Sequence, residues 1–130
     1  MSREFRRSSE GSKGMKSLGS EGEVLALQFL RKKGYVILAQ NYKTRIGEID
    51  IIAKDGETIV FVEVKARSND SFGSPYESVN TTKRQKLKNL ALLYLKKQKK
   101  EFPTRFDVIS ITCLRNGHKE IQHITDAFEV

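Results

Sequence analysis

Two β-branched runs flank an Asp55-Gly56 pair: Ile49 to Ala53 on one side and Thr58 to Val64 on the other. Asp-Gly between such runs is a strong short-range hairpin signal, because glycine supplies the positive φ that a tight turn needs. The spacing predicts strands over Glu48 to Lys54 and Thr58 to Arg67. Placing 53 opposite 58 sets Ile52 against Ile59, Asp50 against Phe61 and Glu48 against Glu63. Side chains alternate along a strand. Glu48, Asp50, Phe61, Glu63 and Lys65 then share one face, and Val60, Val62, Val64 and Ala66 form a purely apolar face. A three-residue loop would flip the parity and separate Asp50 from Glu63.

The other elements fall around this hairpin. Ser20 and Glu23 have the S-x-x-E spacing of a capping box, so a first helix is expected from Ser20, ending at Gly34 as a left-handed cap. Tyr35 to Tyr42 reads as a strand, and Arg45-Ile46-Gly47 as a bend. A polar loop from Ser68 to about Asn80 leads to a second helix, opened by Thr81 or Thr82 and running to about Lys99. Its Leu87, Leu90, Ala91, Tyr94 and Leu95 recur at the spacing of one buried helical stripe. Arg105 to Leu114 and Glu120 to Thr125 complete five strands, with an Asn116-Gly117 turn between them. The order helix, three strands, helix, two strands predicts an α/β domain built on a mixed β-sheet flanked by helices.

Residues 1–17 are rich in Ser, Gly and basic side chains and are expected to form a flexible basic tail, with one domain over 18–130. The 130-residue chain carries 24 Lys and Arg against 16 Asp and Glu, a net charge of +8, with a pI near 9.7. A small basic domain of this kind suits a polyanionic partner, nucleic acid first among them. No stretch approaches the ~20 apolar residues of a membrane span or has a signal-peptide core, so no membrane partner is expected. The single cysteine, Cys113, rules out an intramolecular disulfide and reads as a small core residue; a cytoplasmic location follows as the expectation. His118 and His123 have no metal-ligand spacing and read as surface or strand residues.

The hairpin face is unusual. Glu48, Asp50 and Glu63 converge with only Lys65 to balance them, inside a protein of the opposite sign. Carboxylates crowded together either hold their protons or acquire a cation, and carboxylate oxygens suit Mg²⁺. The alternative is a solvent-exposed hairpin end in which Lys65 bridges Glu63 or Asp50, worth about 0–1 kcal/mol.

Asp50, followed thirteen residues later by Glu63-Val64-Lys65, resembles the signature of PD-(D/E)XK nucleases, and with a helical glutamate upstream, here Glu23, the form seen in archaeal Holliday-junction resolvases. More closely, Gly47-Glu48-Ile49-Asp50-Ile51-Ile52-Ala53 with Phe61-Val62-Glu63-Val64-Lys65-Ala66-Arg67 resembles the YraN family of uncharacterised bacterial proteins. Gly22-Glu23, Gly34-Tyr35, Asn41-Tyr42, Lys83 and Arg105-Phe106-Asp107-Val108 fit the same pattern, over about Gly19 to Ile111. Ile49 stands where the name-giving proline would be, and Glu48 adds an acid.

The resemblance implies a restriction endonuclease-like fold and a metal-dependent nuclease acting on DNA, branched or junction DNA included. It implies Asp50 and Glu63 as catalytic ligands of Mg²⁺, with Mn²⁺ as substitute, and the Val64 carbonyl as a further ligand. Lys65 would orient or deprotonate the attacking water and stabilise developing charge; flanking carboxylates favour its charged form and hence the electrostatic role. Glu23 is either a capping-box residue or a further catalytic and metal-binding group. Glu48 reads as a supporting acid, or as a partner of Arg45 or Arg67.

Between Lys83 and Glu101 the second helix carries eight basic residues against one acid. Lys83 and Lys86 in its first turns, with Arg45 and Arg67 around the hairpin end, are the candidate nucleic-acid contacts. Such contacts grip phosphates without reading sequence. Two other readings stand beside the nuclease: a nucleic-acid-binding module of the same fold without turnover, and a scaffold whose Asp50, Glu63 and Lys65 are an ordinary ion-pair network. Paired cuts at a junction would further require a two-fold homodimer.

Overall fold

The structure is a computed structural model that describes residues 15–68 and 81–128, with side chains from residue 21 onward. The tail up to residue 14 and the expected loop over 69–80 lie outside the described residues. Seven elements follow in chain order: α1 (Met15–Lys32), β1 (Val36–Thr44), β2 (Gly47–Asp55), β3 (Thr58–Ser68), α2 (Thr81–Lys96), β4 (Thr104–Cys113) and β5 (Lys119–Ile124). This is the predicted order. Among the described residues no helix is long and apolar enough to cross a membrane.

One boundary is corrected. α1 begins at Met15, so Met15 to Ser17 are helical rather than tail, and Ser20 lies inside the helix instead of capping it. Nothing between Met15 and Leu18 breaks a helix, and extending a formed helix is cheap compared with starting one. At the other end, Gly34 takes φ +92° and Tyr35 N–H returns to the Leu30 carbonyl at 3.0 Å, the expected left-handed stop.

The sheet order is β1-β2-β3-β4-β5, antiparallel throughout except that β3 and β4 run parallel. Parallel neighbours need a crossover, and α2 lies within it. Each face of the sheet carries one helix. On the first, Ile52, Ile59, Phe61, Phe106 and Val108 pack with Leu87, Leu90 and Ala91 of α2. On the second, Ile51, Ala53, Val60, Val62, Ile109 and Ile111 pack with Ala26 and Leu30 of α1. Val64 and Ala66 join that second cluster, as the alternation predicts. Cys113 is a free thiol, only half-buried at the end of β4, rather than a core residue.

Strand alternation breaks in β1 between Ile37 and Ala39 and again at Asp50 of β2, and the second break positions the site. Ile49 packs on the α2 face together with Ile52, while Ile51 packs on the α1 face. Asp50 stands at the break. Across from it in β1, Asn41 takes φ +50° between the pairs Gln40–Ile51 and Tyr42–Ile49. Asparagine is one of the few residues that tolerates that conformation. The β2–β3 register runs from Asp55–Thr58 to Ile51–Val62 and stops there. The predicted register was therefore two residues out: Phe61 faces Ile52, not Asp50. The turn is a two-residue one, Gly56 and Glu57, with Gly56 at φ +62°.

Candidate functional site

At the break Asp50 replaces a ladder bond with its side chain: the Val64 N–H donates to Asp50 Oδ2 at 2.8 Å. One step back along β3, Glu63 is 6% exposed. Its carboxylate lies 3.4 Å from Lys65 Nζ and forms a direct ion pair with Lys83 from the first turn of α2. Glu63, Lys65 and, by alternation, Arg67 share the α2 face of β3. The parallel register places Ser110 of β4 beside Lys65, with its hydroxyl buried and without a hydrogen-bond partner among the described residues.

Charge is distributed unevenly over this group. Burial, reinforced by the negative charge of Glu63, pushes the Asp50 carboxyl up to about 7, although the Val64 N–H opposes the shift. Burial and the Glu48 charge also raise Glu23, while a hydrogen bond with Asn41 acts against them. Burial lowers Lys65, and the adjacent Lys83 lowers it further, outweighing Glu63. Glu63 favours the charged form as expected, but burial and Lys83 act against it. Burial also works against charge on Lys83, but its contact with Glu63 prevails and its pKa rises.

The predicted residues divide accordingly. Asp50, Glu63, Lys65 and Lys83 are brought together, and Glu23 is close enough to interact electrostatically with Glu48 and Glu63. The capping-box role of Glu23 is excluded by its place well inside α1. Glu23 gets there because Gly22 lets the helix approach the sheet: a Cβ on Gly22 would lie 3.0 Å from Ala66 Cβ. Glu48 is exposed and faces Lys43 across β1, not Glu63. Lys86 is exposed one turn beyond Lys83. Arg45 lines a groove of about 650 Å³ with Ile46, Leu92 and Leu93.

Among the described residues no three His, Cys, Asp or Glu side chains form a ready-made metal cage. Mg²⁺ needs none: it commonly takes one or two carboxylates and fills its remaining positions with water and substrate phosphate. Asp50 and Glu63, an oxygen-only pair in which Asp50 is short of countercharge, fit that pattern.

A second polar cluster escaped the sequence reading. Asp107 is 1% exposed, and its carboxylate accepts from Arg105 Nε and Nη2 at 2.9 Å, from His123 Nε2 at 2.7 Å and from the Asp126 N–H at 3.0 Å. Arg105 also reaches the Tyr35 hydroxyl at 2.7 Å and Asp55 at 3.1 Å. Lys33 Nζ is 2.8 Å from His123 Nδ1, so both contacts are met when Nε2 carries the ring proton. His123 is a strand residue of β5 with a side chain only 4% exposed. The signal was present: two charges two apart at the start of an apolar strand must be paired if that face is buried.

The model of the uncharacterised protein family UPF0102 matches residues 22–111. The chain belongs to this family. A UPF0102 protein of Thermodesulfovibrio yellowstonii is 58% identical over 111 residues, 85% of this chain and 95% of the relative. One from Syntrophomonas wolfei is 49% identical over 114 residues, 87% of this chain and 98% of the relative. One from Geotalea uraniireducens is 46% identical over 116 residues, covering 88% and 91%. The UPF0102 match begins at Gly22, beside the site's helical acid, and spans Asp50, Glu63, Lys65, Lys83 and Asp107.

Proposed function

We propose that this UPF0102 protein is a metal-dependent nuclease of the restriction endonuclease-like kind, hydrolysing phosphodiester bonds of DNA, branched or junction DNA included. The observation that carries this reading is the meeting of Asp50, Glu63 and Lys65 where β2 parts from β3. A structural ion-pair network would match its charges. Here Asp50 makes no direct ion pair among the described residues and feels Lys83 only at longer range, and its carboxyl is held up near 7 by burial and Glu63. Strongly shifted groups gathered in one place are a mark of functional sites.

Asp50 and Glu63 would hold Mg²⁺ or Mn²⁺, with the Val64 carbonyl and Glu23 as further oxygen donors. The bound ion supplies charge neutralisation at the scissile phosphate and a more acidic water. The chain's own contribution is positional. The Val64 N–H fixes the Asp50 carboxylate. Lys65, its pKa lowered, is suited to hold the attacking water and exchange a proton with it as the phosphorus–oxygen bond to the leaving strand breaks. Lys83, Lys86 and Arg67 provide phosphate contacts without base readout, and Arg45 extends the basic surface. Coordinated cutting of a junction would bring two copies together.

The test is a cleavage panel of linear, branched and single-stranded DNA and of RNA, with Mg²⁺, Mn²⁺ or EDTA. Cleavage should require metal, and Lys65→Ala should reduce its rate by about 10²–10³ with binding retained. Wild-type protein that binds these substrates and cuts none of them leaves the binding-module reading in place.

A further inference from the structure

Glu63 is buried and touches two ammonium groups from different elements. Lys65 belongs to its own strand, two residues on and on the same face. Lys83 is different: it arrives from α2, the helix on that face, as the third residue of its first turn. A buried carboxylate left without a cation is costly. Both ammonium groups contact Glu63, while neighbouring Asp50 makes no direct ion pair among the described residues and feels Lys83 only at longer range.

We infer that Lys83 is the site's resident counter-cation, holding Glu63 when no divalent ion is bound and passing to a substrate phosphate when one is. The inference rests on the metal-site reading above and deepens it. Two cations compete for one carboxylate at close range, and mutual repulsion disfavours simultaneous occupancy. Lys83 is 37% exposed, so the ammonium can leave Glu63 for solvent or a phosphate by side-chain rotation alone, without unwinding α2. Metal arrival would thus release a positive charge toward the substrate, so that metal and nucleic acid promote each other's binding.

Mn²⁺ binding to the full chain, followed by electron paramagnetic resonance without nucleic acid, tests the inference. Lys83→Met should bind Mn²⁺ about tenfold more tightly than wild type. Lys88→Met, which removes the same charge from the same helix, should stay within about twofold. In the wild type, Mg²⁺ should move the Lys83 side-chain ammonium resonance and leave that of Lys88 in place. Equal Mn²⁺ affinity in wild type and Lys83→Met, or a Lys83 resonance indifferent to Mg²⁺, overturns the inference while the metal site stands. Wild type that binds no Mn²⁺ overturns both.

Discussion

The Asp50 carboxylate accepts the Val64 N–H at 2.8 Å, so a side chain of β2 completes the hydrogen bonding of β3 where the two strands have stopped pairing. The same burial and the nearby Glu63 charge raise its pKa from 3.8 to about 7. A raised carboxyl pKa means the folded state binds the proton more tightly. Stability therefore falls as pH rises from about 4 to 7 and levels off above. Asp50→Asn keeps the bond to Val64 and removes the charge. In EDTA at pH 8 it should be more stable than wild type by about 1–2 kcal/mol, allowing for partial solvent screening. At pH 4 the two should coincide. Urea unfolding at both pH values measures this; a less stable Asp50→Asn at pH 8 would mean the carboxylate is structural.

Glu23 lies too far into α1 to serve as a cap, so Glu23→Gln should not incur the ~1 kcal/mol loss of a missing N-cap. Thermal melting should place the variant within about 0.5 kcal/mol of wild type or above it, since a repulsive charge is removed. Cleavage should fall if Glu23 serves the site.

Gly22→Ala sets two effects against each other. Helix propensity favours alanine by about 1 kcal/mol. Packing opposes it: the new methyl would sit 3.0 Å from Ala66 Cβ, which is fixed to β3 and cannot move aside. Overpacking costs about 1–3 kcal/mol, so net destabilisation of about 1 kcal/mol is expected in denaturant titration. A stabilised variant would show that α1 can lift from the sheet at little cost.

Asp107 should govern the acid limb of stability. Burial works against its ionisation, yet hydrogen bonds from His123, Arg105 and the Asp126 N–H outweigh that and lower its pKa. The contribution is present above the unfolded value near 4 and is lost as pH falls through the lower folded value. Asp107→Asn should cost about 2–3 kcal/mol at pH 7, somewhat less than for a fully buried pair because Arg105 keeps Asp55. Its unfolding curve should flatten below pH 4, where that of wild type drops.

Ser110→Ala removes a buried hydroxyl that has no partner among the described residues. Relieving an unsatisfied group should stabilise the fold by about 1 kcal/mol in urea titration. If cleavage also drops, the hydroxyl next to Lys65 serves a group that arrives with the substrate.

Element order was readable because hydrophobic periodicity and turn chemistry agree. Leu87, Leu90 and Ala91 mark one side of α2, and Asp55-Gly56 can only be a turn. The Asp50, Glu63 and Lys65 grouping was readable too, though through a wrong register whose two-residue error preserved parity. The break at Asp50 was hidden because strict alternation was assumed, and only Asn41 hinted otherwise. The Arg105–Asp107–His123 cluster joins β4 to β5 across a turn, and charge pairing at that distance leaves no periodic trace. The false cap at Ser20 shows that a short capping match does not fix a helix start when the preceding residues can also be helical.

Where β2 and β3 part, the sheet has a seam. From the Gly56 turn to Ile51–Val62 the ladder is closed; beyond it, Asp50 alone stitches the gap. The segment from Gly47 to Ile49 remains paired to β1 and so belongs mechanically to the β1–β2 ribbon. Tilting that ribbon end changes the width of the seam without breaking a backbone ladder bond to β3. Amide exchange should therefore be fast at Val64 once Asp50 is removed and slow at Val62 regardless. A molecule built this way can widen or narrow the cleft beside Asp50 while the ladder behind it stays shut.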